Sequence, residues 1–277
     1  MELKKILQEN DFEFKKKFGQ NFISDENLLK AICADAELTE QDNVLEIGVG
    51  AGTLTRQMAS VAKKVVGFEI DKTLKEILDV SLANASNASI VFGDFLDAKS
   101  EEVNSYFNGS FKVVANLPYY VTTNIILKLI NENFNLTSLT LMVQKEVAER
   151  LVAKSGTKDY GTLTAELDSI ADVSIKRIVG KQMFNPVPKV DSAVVHIKIN
   201  RKKYEIENYN LHQKVIRSAF AMRRKTLHNC LKSNFSFDDE TMQKLFETLN
   251  LSKTVRGESL TTEQFVNLSN YINRLKK

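Results

Sequence analysis

A handful of short stretches in this sequence carry residue types suited to holding a nucleoside and the group it delivers. Glu46-Ile47 runs into Gly48-Val49-Gly50-Ala51-Gly52, and glycines there let the backbone turn sharply and approach a ligand as side chains would not. The dinucleotide fingerprint would place its third glycine one residue later, where Thr53 stands. A nucleoside without a pyrophosphate is therefore favoured over a dinucleotide. About 20 residues on, VVGFEID reaches Glu69, whose carboxylate suits the two hydroxyls of a ribose. Gly93-Asp94 offers an acid for an adenine amine, and Ala115-Asn116-Leu117-Pro118-Tyr119-Tyr120 offers an amide, a proline and aromatic rings.

Each of these stretches closes an apolar run, and the runs fix where the polar groups stand. VLEI, VVGFEI, SIVFGD, FKVVAN and SLTLMV read as strands, alternating with helical patterns such as VTTNIILKLI, where Val121, Ile125, Ile126 and Leu129 share a face. The alternation predicts an α/β fold, a Rossmann-like doubly wound and mostly parallel sheet. ADVSIKRIV and SAVVHIKI, with no long helix between them, add antiparallel strands at its edge. In such sheets ligands bind at the carboxyl ends of the strands, where Gly48, Glu69, Asp94 and Asn116 lie. After Ile199 the strand signals stop. Val215, Ile216, Ala219 and Phe220, then Leu245, Phe246 and Leu249, then Phe265, Leu268, Ile272 and Leu275 recur at helical spacing. That predicts a small all-helical domain over 201–277 behind a catalytic domain over 1–200, and Thr261 with Gln264 forms a capping box for the last helix.

A chain of 277 residues with 43% hydrophobic content builds a sizeable core and a smaller second unit. No stretch approaches the roughly 18 consecutive apolar residues of a membrane span, and the amino terminus mixes acids with bases without an apolar signal core. The expectation is a cytoplasmic protein with no membrane partner. Cys33 and Cys230, and His196, His212 and His228, are scattered, so no metal site is expected. The net charge of +3 decides nothing about partners, but bases gather at Lys15-Lys16-Lys17, Arg201-Lys202-Lys203, Arg223-Arg224-Lys225 and Lys276-Lys277, each a phosphate footprint or simply solvated surface.

The order EIGVGAG, FEID, GD and NLPY resembles the S-adenosylmethionine-dependent methyltransferases that act on an exocyclic amine of a nucleic-acid base. FGQNF (18–22), QKEVAERLVA (144–153), KDYG (158–161), FNPVPKVDSAVV (184–195), RRKTL (223–227) and RGESLTTEQF (256–265) narrow the resemblance to the KsgA type of ribosomal RNA adenine dimethyltransferase. The resemblance covers nearly the whole chain. Val49 stands where the family commonly has proline, and Met222 where it often has glutamine; neither removes a group the chemistry needs.

The resemblance implies that Asn21 and Ile23 contact S-adenosylmethionine, with Gly48 under the methionine part, Glu69 on the ribose, Asp94 on the adenine amine and Asn116 facing the methyl group. It implies that the Asn116 side-chain oxygen and the Leu117 carbonyl accept the hydrogens of the target amine, with Pro118 fixing that backbone. Tyr119 would stack on the base and Phe184 supply a second face, whereas Tyr120 is expected to pack in the core. Arg223, Arg224 and Lys225 would grip phosphates without reading sequence. The implied substrate is a pair of adjacent adenosines in the hairpin loop near the 3′ end of small-subunit ribosomal RNA, each dimethylated by a monomeric enzyme during subunit assembly. Two alternatives are a methyltransferase of large-subunit ribosomal RNA of the macrolide-resistance type and a ribosome-assembly factor without catalysis; a nicotinamide-dependent oxidoreductase is disfavoured by the displaced glycine.

Overall fold

A computed structural model describes Lys15, residues 19–222 and residues 224–275. The chain runs β1 (Phe22–Ile23), α1 (Glu26–Asp35), β2 (Asn43–Ile47), α2 (Thr53–Ala59), β3 (Lys64–Glu69), α3 (Lys75–Ser81), β4 (Ala88–Phe92), α4 (Ser100–Ser105), β5 (Phe111–Asn116), α5 (Thr122–Asn131) and β6 (Leu136–Gln144). It continues with α6 (Lys145–Leu151), α7 (Thr162–Asp168), β7 (Ala171–Val179), β8 (Phe184–Asn185), β9 (Ser192–Ile199), α8 (Tyr209–Phe220), α9 (Leu227–Asn234), α10 (Asp239–Thr248) and α11 (Thr262–Leu275).

The strands order as β4-β3-β2-β5-β6-β9-β7 in a 7-stranded sheet. β2 pairs parallel with β3 and β5, β3 with β4, and β5 with β6, while β9 runs antiparallel to β6. β2 is buried at every position; Val44, Leu45 and Ile47 pack as a strand covered on both faces must, while its polar Asn43 and Glu46 are hydrogen-bonded, Asn43 Nδ2 to the Ser110 carbonyl (3.2 Å) and Glu46 to Thr55. Chain direction across the sheet reverses between β2 and β5, so the carboxyl ends of these two strands flank the point where such sheets bind ligands. A core of Val44, Val65, Val114, Met142 and Val194 from the strands and Leu29, Ile32, Leu54 and Met58 from α1 and α2 fills one face. Two strands of two residues each, too short to show a period in the sequence, form a separate antiparallel pair: β1 with β8, Phe22 opposite Asn185 and Ile23 opposite Phe184.

The chain divides into two compact units, but not at a single boundary near residue 200. One unit ends at Ala148 and resumes over Ser174–Ile199; the other takes Glu149–Val173 together with the chain from Asn200. The reason is packing. Tyr160 and Ala165 join the helical core of Leu211, Val215, Ile216, Leu245, Phe246, Phe265 and Leu268. Buried Glu166 receives the Arg217 guanidinium at 2.7 Å. His212, fully buried, bridges Ser169 (2.8 Å) and Ser269 (2.9 Å), and burial lowers its pKa to about 4. The capping box forms as expected: Thr261 N–H donates to Gln264 Oε1 (2.9 Å) and Gln264 N–H to Thr261 Oγ1 (3.2 Å). Leu275, counted on the apolar face of α11, is 44% exposed in its last turn. Among the described residues no helix is long and apolar enough to cross a membrane.

Candidate active site

The carboxyl ends of β2, β3 and β5 and the segment from Gly19 to Ile23 form a cleft open to solvent, lined by Gly48, Gly50, Glu69, Asn116, Pro118 and Tyr120 among others. A second hollow shares Gly48, Ile70, Pro118 and Tyr120 and extends to Asp94 and Phe95. Two hollows that share a wall and carry different polar groups can take a nucleoside with a side arm.

The glycine loop fits such a ligand. Gly48 and Gly50 have φ of +79° and +58°, and a Cβ on Gly50 would lie 2.9 Å from the Phe22 ring. A side chain there is strained and obstructed together. Val49 occupies the space a Cβ on Gly67 would need, which accounts for a glycine in the middle of β3.

Glu69 is 5% exposed, and both of its oxygens are held: Gly50 N–H donates to Oε2 at 2.8 Å and Asp71 N–H to Oε1 at 2.7 Å. Burial raises its pKa, and the backbone N–H groups of Asp71, Gly50 and Ile70 work against that rise. Each carboxylate oxygen can accept more than one hydrogen, so capacity remains for a diol. Deeper in the cleft, Glu46 is 1% exposed and accepts from Thr55 Oγ1 at 2.5 Å; burial, then the charge of Glu69, pushes its pKa well above the usual carboxylate range. Asp94 is exposed at the far chamber, one oxygen accepting from Leu96 N–H (2.9 Å).

At the end of β5, Asn116 is partly buried and its Nδ2 donates to the Asn21 carbonyl at 2.8 Å. That gives the nitrogen an acceptor and leaves Oδ1, which can only accept, for a donor. Buried Leu117 donates its N–H to the Met142 carbonyl (3.2 Å), and the Pro118 carbonyl accepts from Val121 N–H (3.2 Å) and Thr122 Oγ1 (3.1 Å), so the NLPY backbone is fixed on both sides. Tyr119 is partly buried, its hydroxyl 2.8 Å from Ser192 Oγ; burial raises its pKa.

Two aromatic expectations are corrected. Phe184 is 3% exposed and belongs to the core cluster with Ile23 and Val194, because its β8 position pairs with β1; it lines neither chamber and presents no free face as placed. Tyr120 does the reverse. It is 62% exposed and forms the wall common to both chambers, because α5 begins just beyond it and carries the apolar face itself. Asn21 and Ile23 both line the cleft, although Ile23 is 3% exposed and puts its side chain in the core while its carbonyl accepts from Thr53 Oγ1 (2.8 Å). Gln20 in GQNF, Glu46 in EIGVGAG and Asp71 in FEID have no role legible from the motifs alone; the fold puts Gln20 and Glu46 on the cleft and Asp71 against Gln20.

The basic clusters separate. Lys15 pairs with Asp71 (2.8 Å), and Lys203 with Asp168 (2.9 Å) and Asp172 (3.1 Å), so these two lysines serve internal ion pairs. Arg224 and Lys225 are exposed in the turn before α9, and Arg223 lies outside the described residues. Among the described residues no group of three or more His, Cys, Asp or Glu is placed to hold a metal ion.

Comparison with known proteins gives this geometry its context. The model of the family described as ribosomal RNA adenine dimethylase matches residues 11–274. A ribosomal RNA small subunit methyltransferase A from Clostridium acetobutylicum is 42% identical over 272 residues, covering 98% of each chain. One from Listeria monocytogenes is 44% identical over 275 residues, covering 96% of this chain and 93% of its own. Among solved structures, a dimethyladenosine transferase from Plasmodium falciparum superposes with a TM-score of 0.78 at 26% identity over 91% of this chain and 98% of its own. The 23S rRNA methyltransferase ErmE does so with 0.70 at 25% identity, over 91% and 100%. The family match runs through both compact units and spans the strand-end groups, and on it the chain belongs to the ribosomal RNA adenine dimethylase family.

Proposed function

We propose that the protein dimethylates the exocyclic amines of two adjacent adenosines in the hairpin loop near the 3′ end of small-subunit ribosomal RNA, using S-adenosylmethionine, as a cytoplasmic monomer acting on the assembling subunit. The observation that carries the reading is the fixed amide of Asn116. With Nδ2 given to the Asn21 carbonyl, Oδ1 is the side-chain atom able to accept a hydrogen from an amine. Such an amine is a poor nucleophile because its lone pair is delocalised into the ring. Accepting its hydrogens at Asn116 Oδ1 and the Leu117 carbonyl favours a pyramidal nitrogen with its lone pair free for attack, and positioning of this kind supplies several kcal/mol of a barrier.

S-adenosylmethionine, when bound, supplies a methyl group on a positively charged sulfur. Glu69 would take the ribose hydroxyls, Asp94 the adenine amine, and the Gly48–Gly50 backbone would lie against the methionine part. No residue needs to be a strong base, because the methylated amine is acidic and releases its proton afterwards; an amide at 116 therefore suffices. Tyr119, its hydroxyl tied to Ser192, offers the stacking face for a base taken out of its loop, a contact worth about 1–3 kcal/mol. Arg224 and Lys225, exposed in their turn, together with Arg223, would hold phosphates.

The test is transfer of labelled methyl from S-adenosylmethionine to unmethylated small ribosomal subunits, with unmethylated large-subunit RNA in parallel and products digested to nucleosides. Dimethyladenosine from the small subunit alone is the expected result. Label confined to large-subunit RNA would assign the substrate of the ErmE-like group instead, and label in neither would refute catalysis and leave an assembly factor.

A further inference from the structure

The carboxylate of Glu69 and the amide of Asn116 belong to different strands, yet hydrogen bonds through Asp71 and Gln20, and the peptide link from Gln20 to Asn21, join them outside the sheet. Glu69 Oε1 accepts from Asp71 N–H at 2.7 Å. The Asp71 side chain, 2% exposed, accepts from Gln20 Nε2 at 2.9 Å through Oδ2 and from Lys15 Nζ at 2.8 Å through Oδ1. The opposite end of the Gln20 amide accepts from Lys15 N–H at 2.8 Å. The next residue, Asn21, presents the carbonyl that takes Asn116 Nδ2 at 2.8 Å. Thr73 completes the hub, its N–H (3.1 Å) and hydroxyl (2.7 Å) both donating to Asp71 Oδ1 while its own oxygen accepts from Lys15 Nζ at 2.6 Å.

Neither Asp71 nor the Gln20 side chain contacts the reacting atoms in the chemistry proposed above. Gln20 directly precedes Asn21, so its bond to Asp71 bears on where the Asn21 carbonyl stands, as does the β1–β8 pairing of Phe22 on the other side. An asparagine amide can turn over and exchange its oxygen for its nitrogen, and the partner of Nδ2 selects between the two orientations. In the wrong one, a donor would confront the hydrogens of the target amine. We infer that Asp71 is a positioning residue which, by clamping Gln20, places the Asn21 carbonyl and so fixes the Asn116 amide in the orientation methyl transfer needs. The inference rests on the proposed function for its catalytic consequence, but the orientation of Asn116 is a property of the protein alone.

The test is a double-mutant cycle on Asp71→Asn and Gln20→Ala, read in two ways. Asp71→Asn keeps the side-chain volume but turns an amide nitrogen toward Gln20 Nε2 or Lys15 Nζ; Gln20→Ala removes the clamp at a partly exposed position and leaves the core untouched. In the cofactor-free protein labelled at asparagine side chains with ¹⁵N, the Asn116 resonance is identified from its loss in Asn116→Ala. Each single variant is expected to shift it and speed its hydrogen exchange, and the double variant to look like either single. In methyl transfer, each single variant is expected to lower kcat about tenfold, with the double variant no worse than the singles, as for residues acting through one contact. An Asn116 resonance unchanged in both variants, or kcat losses that multiply in the double variant, would overturn the inference. If the wild-type protein transfers no methyl at all, the proposed function fails, while the resonance still decides the positioning role.

Discussion

Replacing Asn116 by alanine removes two contacts of different kinds, and their sizes can be separated. The first is the bond from Nδ2 to the Asn21 carbonyl, 2.8 Å long at a partly buried position. An ordinary hydrogen bond contributes about 0.5–1.5 kcal/mol net, so this loss costs modest stability. The second, in the proposed mechanism, is the acceptor for the target amine, which would matter only as the nitrogen becomes pyramidal and so count fully against the barrier. Taken at about 1.4 kcal/mol or more, its removal lowers kcat at least about tenfold. Asn116→Asp keeps an oxygen but sets it against the Asn21 carbonyl, and its rate is expected between those of alanine and wild type. The assay is single-turnover transfer of labelled methyl to unmethylated small subunits, alongside calorimetric titration with S-adenosylhomocysteine. Cofactor affinity is expected within about threefold of wild type, because in the proposed site the ribose and adenine contacts fall to Glu69 and Asp94. Wild-type turnover in Asn116→Ala, or a rate loss explained wholly by lost cofactor binding, would refute the assignment.

Glu69→Gln replaces one oxygen that a backbone N–H reaches with a donor, so either Gly50 or Asp71 loses its acceptor, and S-adenosylhomocysteine should bind about 10- to 100-fold more weakly by calorimetry, in line with the larger cost of a bond to a charged group. Tyr119→Ala should raise KM for the RNA substrate by the loss of about 1–3 kcal/mol of stacking while leaving cofactor titrations unchanged, whereas Tyr119→Phe, losing only the Ser192 contact, should retain most of the activity. Buried Glu46 has its pKa raised by burial, so the folded state binds its proton more tightly than the unfolded chain does; that stabilisation is fully present below the unfolded carboxylate pKa and is lost as pH rises through the folded value. Glu46→Gln should therefore melt higher than wild type at neutral pH, with the gap closing as pH falls toward the unfolded value, and a gap independent of pH in thermal denaturation would contradict the burial argument.

The sequence by itself was enough to place Gly48, Glu69, Asp94 and Asn116 at strand ends, because each closes an apolar run and the period of those runs dictates which elements form. It was also enough for the family, whose longer motifs are linear. Packing between segments far apart in the chain is not linear, and there the tertiary structure decided. Phe184 is as aromatic as Tyr120 in the sequence, yet the β1–β8 pair carries the first into the core while the second is left exposed at the cleft. Glu149–Val173 reads as part of the sheet domain until Tyr160, Ala165 and Glu166 find their partners on α8 and beyond. The orientation of the Asn116 amide depends on Asn21, and the placing of Asn21 on Asp71 through Gln20, contacts that close over 95 and 51 residues of chain. Local composition sets strands and helices, but hydrogen-bond partners at such separations exist only once the sheet has brought them together.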